Sequence, residues 1–261
     1  MTGEQPPRIL IVEDNPINQQ VAAAIIEGAG MNVAVAATGR EAAVRAARGT
    51  FDLILMDIQM PAMDGIATAD EIRRLKGHHT PPIVAMTAHA QAGEREQLLA
   101  AGMDDCVAKP FDAKALLETI SRCMAATRPA PDEGIDNGSN PSSPFALSVP
   151  GINVALGIRR VGGSVRFYRS ILRDFHVRYA DSADRIETLL HRQETTAAAE
   201  EVHSLKGAAG SIAAVGLHES AERLETALRR GDSAAIHAHY DDFTRRLEET
   251  LTAIGIQLKK S

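Results

Sequence analysis

The stretch DLILMDIQMPAMDG, at residues 52–65, places a run of apolar residues directly before an aspartate and a turn-forming segment. A short apolar run of this kind, bounded by polar and turn residues, is typical of a strand that is buried on both faces of a sheet. We therefore predict a strand over residues 52–56, with Asp57 at its carboxyl end and a tight turn at Gly65 beyond it.

Four further apolar runs surround this strand, and helical patterns separate them. The other predicted strands are at residues 8–12, 32–36, 82–86 and 106–108, and the predicted helices are at 17–28, 40–48, 65–75, 93–101 and 113–125. Strands rich in Ile, Leu and Val that alternate with helices form parallel sheets covered on both faces. Residues 6–126 are therefore predicted to form a doubly wound α/β domain around a five-stranded parallel sheet.

The composition changes after residue 126. Residues 127–150 are rich in Pro, Gly, Ser and Asn and contain few groups that a core could bury, so we predict a flexible linker. Beyond it the strand pattern disappears, and helices are predicted at 153–160, 164–179, 180–192, 196–213, 217–230 and 233–254. Short polar breaks between helices are typical of an antiparallel bundle. Residues 151–258 are therefore predicted to form an all-α helix bundle domain.

Composition and charge argue against several classes of protein. The chain of 261 residues is 44% hydrophobic and 24% charged, which is the balance of a globular protein. Its formal net charge of −6 argues against broad binding to nucleic acid or to anionic membranes. Its two cysteines do not make a disulfide framework, and the first residues lack the apolar run of a secretory signal. We expect a soluble cytoplasmic protein with no nucleic-acid or membrane partner.

Polar and charged side chains follow the ends of four predicted strands. Glu13 and Asp14 follow the first strand and Asp57 the third, while Thr87 and Lys109 follow the fourth and fifth. Because the carboxyl ends of parallel strands meet at one edge of a sheet, these side chains are predicted to lie together. Three carboxylates at such distances repel one another unless a cation lies between them, and a set of oxygen ligands suits Mg²⁺.

These residues resemble the receiver domain of bacterial response regulators and hybrid sensor kinases, which has a flavodoxin-like fold. The resemblance covers roughly residues 6–125 and rests on LIVEDNPINQ, DLILMDIQMPAMDG, IVAMTAHA and GMDDCVAKPF. It implies that Asp57 accepts a phosphoryl group, whose oxygens contact Thr87 and Lys109, and that Mg²⁺ is bound beside it. The implied magnesium ligands are Glu13, Asp14, Asp57 and the backbone carbonyl of Gln59.

Two positions near this site leave alternatives open. Cys106 lies where the family commonly has Tyr or Phe, an aromatic that swings inward as the Thr hydroxyl moves toward the phosphoryl group. Cys106 is too small to act in the same way, so signalling through the surface of the fourth helix, fifth strand and fifth helix is left open. His89, two residues beyond Thr87, either affects hydrolysis of the phosphoryl group or is an exposed loop histidine.

The segment AAEEVHSLKGAAGSIAAVGL, at residues 198–217, carries a histidine with supporting geometry. At about 100° per residue, one helix face gathers the apolar positions, and His203 lies on the opposite side with Gly207 and Gly210 beside it. Glycine inside a helix costs about 1 kcal/mol against alanine, so two on one exposed face indicate a partner that approaches the imidazole closely. An exposed imidazole with a free ring nitrogen is a competent nucleophile, and Lys206 can reach phosphoryl oxygens on it.

This segment resembles the histidine-containing phosphotransfer (HPt) domain, whose hallmark is HxLKG with a downstream glycine. The resemblance covers roughly residues 150–256 and implies that His203 is a phosphoacceptor. The two resemblances together imply a phosphorelay protein. A sensor histidine kinase or another HPt protein would hand a phosphoryl group to Asp57, and His203 would carry it to or from the aspartate of a downstream receiver. Docking of the two domains within one chain would allow direct transfer between them.

Autonomous kinase activity is not expected, because the sequence contains no Gly-rich nucleotide-binding loop. The receiver would catalyse only its own phosphorylation and dephosphorylation. One alternative is an adaptor or phosphoryl sink that regulates a histidine kinase by docking, without relaying. Another is a phosphatase with an aspartyl-phosphate intermediate, but such enzymes typically carry Asp-x-Asp on one strand, whereas Asp57 is followed by Ile58 and Gln59.

Overall fold

The computed structural model describes residues 5–60, 65–88, 92–127 and 149–259. The chain divides into two compact units, Met1–Phe145 and Ala146–Ser261. Most of the predicted linker, residues 128–148, lies outside the described residues, so its flexibility stays a prediction. Over the described ranges, every helix is too short or too polar to cross a membrane.

Five strands form one sheet in the described part of the first unit. They are β1 (Arg8–Val12), β2 (Asn32–Ala36), β3 (Leu53–Asp57), β4 (Ile83–Thr87) and β5 (Asp105–Ala108). Their order across the sheet is β2-β1-β3-β4-β5, and all neighbours are parallel. Every residue of β3 and β4 is buried, as in a central strand with both faces covered. The predicted doubly wound α/β fold is confirmed.

Five helices flank this sheet within the described residues. They are α1 (Pro16–Gly28), α2 (Gly39–Arg48), α3 (Gly65–Lys76), α4 (Ala92–Ala100) and α5 (Ala113–Thr127). Local chemistry explains where two of them begin. The side chain of Asn15 caps α1 by accepting a hydrogen bond from Ile17 N at 2.9 Å. Thr38 caps α2 by accepting from Glu41 N at 3.2 Å, while the Glu41 carboxylate accepts from Ala37 N at 2.9 Å.

The register of the strands brings their carboxyl ends to one edge of the sheet. Val12 pairs with Met56, one residue before Asp57, and Thr87 pairs with Ala108. The residues that follow β1 and β5 therefore leave the sheet beside the end of β3. This edge carries the polar residues predicted to form a site.

Six helices make up residues 149–259 of the second unit. They are α6 (Val154–Arg160), α7 (Val165–Tyr179), α8 (Ser182–His191), α9 (Thr195–Ser211), α10 (Val215–Arg230) and α11 (Ser233–Lys259). The predicted all-α domain is confirmed. α11 continues to Lys259, beyond its predicted end at residue 254. Gly255 does not end the helix there and packs instead beneath the ring of His176, which a Cβ at Gly255 would approach to 3.2 Å.

A buried tyrosine joins α7 to the end of α9. Tyr168 is fully buried, and its hydroxyl donates to the carbonyl of Ile212 at 2.7 Å. Space for its ring exists because residue 157 is glycine: a Cβ on Gly157 would lie 2.4 Å from three atoms of the Tyr168 side chain. Close packing of α6 on α7 therefore depends on this pair.

Residues around α6 also satisfy the C-terminal end of α9. The guanidinium of Arg160 donates to the carbonyl of Gly210, and Asn153 N donates to the carbonyl of Ala213 at 2.9 Å. Carbonyls at the end of a helix have no partner within it, so these donors hold the α9–α10 turn in place.

Candidate functional site

Three carboxylates lie together at the carboxyl edge of the sheet. Oxygens from Glu13, Asp14 and Asp57 lie within 4.8 Å of one another. Glu13 and Asp57 are buried, and Asp14 is half-buried. The structure thus brings together the three acids that the strand ends predict at one edge.

Lys109, predicted for the same edge, contacts two of these acids. Its Nζ lies 2.6 Å from Glu13 Oε2 and 2.7 Å from Asp57 Oδ2. The Lys109 side chain is only 12% exposed, so water and salt screen these ion pairs weakly. Burial alone would lower the pKa of the Lys109 ammonium, but the charges of Glu13 and Asp57 outweigh burial and raise that pKa. Lys109 is therefore a fixed cation at neutral pH.

The Asp57 carboxyl is harder to ionise than an ordinary aspartate. Burial, followed by repulsion from Glu13, raises the pKa of Asp57 to about 7, against the opposing effect of Lys109. Gln59 N also donates to Asp57 Oδ1 at 3.1 Å and favours the anion. A further cation at this edge would stabilise the ionised form of Asp57.

Glu13 is held in a way that fits such a cation. Its Oε1 accepts hydrogen bonds from Asn15 N at 3.2 Å and from Asn18 Nδ2 at 3.1 Å. Its buried Oε2 is paired with the Lys109 ammonium at 2.6 Å. Three carboxylates around one ammonium also leave an excess of negative charge. A set of carboxylate oxygens within 4.8 Å of one another, with negative charge in excess of the one ammonium, fits a hard divalent cation such as Mg²⁺.

Asn18 was missed by the sequence reasoning. It is buried on α1 and orients Glu13, and the available signal was a second amide in LIVEDNPINQ one helical turn beyond the cap at Asn15. The use of the Gln59 carbonyl as a metal ligand stays a prediction.

Thr87 lies at the same edge, but its hydroxyl is turned to a helix. Thr87 is buried at the end of β4, and its Oγ1 donates to Oε1 of Glu94 on α4 at 3.0 Å. The predicted contact of Thr87 with a phosphoryl group stays a prediction, and Glu94 was not found from the sequence. His89 lies outside the described residues.

The chain passes very close to Asp57 where α3 begins. A Cβ at Gly65 would lie 2.2 Å from the carbonyl oxygen of Asp57 and 2.9 Å from Ile58 Cα. Gly65 N also donates to the Ile58 carbonyl at 3.1 Å. Only glycine fits at position 65, because any Cβ would collide with the backbone of Asp57 and Ile58. The close contact holds the backbone of Asp57 in position.

A second charged cluster lies on β5, next to Cys106. The buried carboxylate of Asp105 accepts from Arg95 of α4 at 3.1 Å and from Arg122 Nε of α5 at 3.0 Å. Burial alone would raise the pKa of Asp105, but the hydrogen bonds from Arg122, Cys106 N and Arg95 lower it overall. Asp105 therefore ties α4 and α5 to the strand that carries Cys106.

His203 lies on the predicted side of α9, but it is less exposed than predicted. Its side chain is 18% exposed, because α10 packs beside it and Glu225 Oε1 lies 2.8 Å from Nδ1. Among the described residues, Nε2 has no hydrogen-bond partner. One ring nitrogen is therefore held by Glu225 and the other is open, so the ring is less exposed than predicted but keeps one free nitrogen.

The sequence reasoning also missed Glu225, which contacts two cations in addition to the ring of His203. Its side chain is only 6% exposed; Oε2 lies 2.7 Å from Lys206 Nζ, and Oε1 lies 2.9 Å from Arg229. Burial alone would raise the pKa of Glu225, but the hydrogen bond and charge of His203, followed by Lys206, lower it to about 2. The available signal was an acid next to Leu224 on the apolar side of α10, where a carboxylate requires partners.

Two other residues of α9 bear on the predictions. The side chain of Lys206 is 6% exposed and its Nζ pairs with Glu225, so its predicted contact with phosphoryl oxygens on His203 stays a prediction. Gly210 is predicted on an exposed face, but it is buried because Arg160 covers it and donates to its carbonyl. A partner approaching the imidazole therefore does not account for Gly210.

Comparisons with known proteins match both parts of the chain. Residues 9–121 match the response regulator receiver domain family, and residues 170–255 match the Hpt domain family. The signal transduction histidine-protein kinase BarA of Escherichia coli (strain K12) is 30% identical over 227 residues, covering 85% of this chain and 24% of that protein. The sensor protein GacS of Pseudomonas syringae pv. syringae is 32% identical over 234 residues, covering 87% of this chain and 25% of that protein.

Solved structures also match part of the chain. The receiver domain of the sensor histidine kinase PA1611 from Pseudomonas aeruginosa PAO1, with a magnesium ion coordinated in its active site cleft, is 41% identical. That match covers 46% of this chain and 98% of the other, with a TM-score of 0.43. The chain spans about a quarter of the length of the curated relatives it matches. Its two folds, its two charged sites and both family matches identify the chain as a response regulator receiver domain followed by an Hpt domain.

Proposed function

We propose that this chain relays phosphoryl groups between histidine and aspartate side chains. Asp57 accepts a phosphoryl group from a phosphohistidine donor, and His203 carries one to or from the aspartate of a receiver domain. The observation that carries the proposal is the pairing of each nucleophile with buried charges: Asp57 with Lys109, and His203 with Glu225. The alignment of two sensor kinases over both domains supports it.

Transfer to Asp57 requires positioning and neutralisation of charge. The transferred group passes through a loose in-line transition state, with its charge spread over the phosphoryl oxygens. Lys109 places a positive charge 2.7 Å from Asp57 Oδ2, where those oxygens would arrive, and Thr87 is a further proposed contact. When bound, Mg²⁺ would offset the remaining negative charge and favour the Asp57 anion. Its proposed ligands are Glu13, Asp14, Asp57 and the Gln59 carbonyl.

The geometry around His203 selects one ring nitrogen as nucleophile. Glu225 accepts a hydrogen bond from Nδ1, which fixes the proton there and leaves the lone pair on Nε2. In the transfer, the bond from the aspartyl oxygen to phosphorus breaks, the bond from Nε2 to phosphorus forms, and the aspartate leaves as a carboxylate. Positive charge develops on the imidazole as Nε2 reacts, and the Glu225 anion stabilises it. Lys206 holds that anion in place.

The proposed partners are proteins with complementary phosphoacceptors. A sensor histidine kinase would phosphorylate Asp57, and a downstream receiver or another HPt protein would exchange the group with His203. Docking of the two domains within the chain is also proposed, through the linker at residues 127–150. We propose the cytoplasm as its location; Cys106 and Cys123, the two cysteines of the chain, are not joined in a disulfide, which suits a reducing compartment.

Substitution of each acceptor tests the relay. Asp57→Ala should abolish the label that the chain gains from a phosphorylated kinase with Mg²⁺, whereas Asp70→Ala, an exposed aspartate on α3, should label normally. A label retained in Asp57→Ala would exclude this acceptor.

The second acceptor has its own test. His203→Gln should leave labelling of Asp57 intact but block delivery to a downstream receiver, while His237→Gln, at an exposed position on α11, should deliver normally. Unchanged delivery by His203→Gln would remove the second domain from the pathway. Labelling of Asp57 without delivery by the wild-type chain would favour the adaptor or sink instead.

A further inference from the structure

The hydroxyl of Thr87 already has an acceptor for its single proton. Oγ1 donates to Glu94 Oε1 at 3.0 Å, across the short distance from the end of β4 to the first turn of α4. A threonine hydroxyl carries one hydrogen and can donate only one hydrogen bond at a time. Any second acceptor for that proton must therefore displace Glu94.

A phosphoryl group on Asp57 would be such an acceptor. Its oxygens carry no proton at neutral pH, so Thr87 can contact them only as a donor. We propose that Glu94 is a positioning residue that holds Thr87 away from the phosphoryl site, and that phosphorylation of Asp57 breaks the contact between Thr87 and Glu94. This inference rests on the proposed function, because it requires Asp57 to carry the phosphoryl group.

The released carboxylate lies where α4 meets β5. The next residue, Arg95, is tied to the buried Asp105, one residue before Cys106. Cys106 is too small to replace a swinging aromatic, whereas Glu94 connects the phosphoryl site to α4 through one hydrogen bond. Phosphorylation of Asp57 therefore acts on α4 when Thr87 exchanges its hydrogen bond to Glu94 for one to the phosphoryl group.

Competition of this kind predicts a change in affinity for a phosphoryl mimic. A ligand that needs the hydroxyl of Thr87 binds only those molecules in which Glu94 has released it. Its apparent dissociation constant is therefore the intrinsic constant divided by the fraction of such molecules. A hydrogen bond to a charged acceptor contributes enough for Glu94→Ala to bind beryllofluoride about tenfold more tightly than the wild type. Glu94→Gln keeps an acceptor oxygen but loses the charge, so its affinity should lie between those of Glu94→Ala and the wild type.

The experiment uses the full chain with Mg²⁺ and beryllofluoride, and ¹⁹F NMR measures the dissociation constant. The matched control is Glu96→Ala, an exposed glutamate on α4 two residues away, which should bind as the wild type does. A purely electrostatic effect of removing a carboxylate would make Glu94→Gln as tight as Glu94→Ala, and that result would overturn the proposal.

A second background separates positioning from a general effect on the fold. Thr87→Val removes the hydroxyl, so adding Glu94→Ala to it should leave the affinity unchanged. A tenfold gain in that background would overturn the proposal, as would equal affinities of Glu94→Ala and Glu96→Ala. If neither the wild type nor Glu96→Ala binds beryllofluoride at Asp57, the proposed function fails and this inference fails with it. Normal binding by both with no effect of Glu94→Ala rejects the inference alone.

Discussion

Replacement of Glu225 by alanine leaves a buried ammonium without its counter-charge. Lys206 Nζ lies 2.7 Å from Glu225 Oε2, and both side chains are 6% exposed. Removal of one partner of such a pair costs about 3–5 kcal/mol, whereas the more exposed contact with Arg229 adds little. We expect Glu225→Ala to lower the free energy of unfolding of the second unit by about 3–5 kcal/mol at pH 7.

Tyrosine fluorescence can follow this unit alone in the full chain. The chain has three tyrosines and no tryptophan, and Tyr168, Tyr179 and Tyr240 all lie in the second unit. In urea, the midpoint of the tyrosine transition should fall by at least about 1 M in Glu225→Ala. Glu219→Ala, an exposed glutamate on the same helix, should leave it nearly unchanged.

The dependence on pH identifies the ionised carboxylate as the source of the effect. The pKa of Glu225 is lowered from its usual value of 4.5 to about 2, so its contribution is complete above pH 4.5 and is lost as the pH falls toward 2. The difference between wild type and Glu225→Ala should therefore shrink as the pH falls below 4.5. Equal midpoints for Glu225→Ala and Glu219→Ala at pH 7, or a difference that grows as the pH falls below 4.5, would refute the reasoning.

Three further changes test other contacts. Gly65→Ala places a Cβ 2.2 Å from the Asp57 carbonyl oxygen and should slow labelling of Asp57 at least about tenfold; an unchanged initial rate would contradict the close approach. Mg²⁺ at about a hundred times its dissociation constant should raise the free energy of unfolding of the first unit by about 2.7 kcal/mol, followed by circular dichroism. Asp14→Ala should reduce that gain, and an equal gain would exclude Asp14 as a ligand. Gly157→Ala overpacks Tyr168 and should destabilise the second unit by about 1–3 kcal/mol, read by tyrosine fluorescence; an unshifted midpoint would show that the ring can move.

The sequence was sufficient for the order of the elements and for the acidic edge. Buried parallel strands appear as short apolar runs, and the geometry of a parallel sheet then fixes where the residues after each strand must meet. Glu13, Asp57 and Lys109 could be placed together for that reason, and the structure brings them within contact distance. The receiver and HPt resemblances are confirmed by the family matches, while the roles of individual residues stay predictions.

The partners supplied by neighbouring helices could not be predicted in the same way. Glu225 reaches His203 from α10, and Glu94 reaches Thr87 from α4, so each contact depends on how two separate elements pack. A helical pattern shows which face of a helix is buried, but it does not show which residue of another helix lies opposite. The burial of Lys206 could not be predicted for this reason, because its counter-charge comes from α10.

The hydrogen bonds from α6 and α7 to the end of α9 decide where the boundary of this domain can be placed in a truncated or chimaeric protein. The Hpt match begins at residue 170, yet Arg160 and Tyr168 both lie before that point and donate to backbone carbonyls at the end of α9. A fragment that starts at residue 170 would lose both donors to the end of the helix that carries His203. Chimaeras that graft this domain onto other signalling proteins should therefore be joined before residue 149, so that the domain keeps α6 and its contacts with the end of α9.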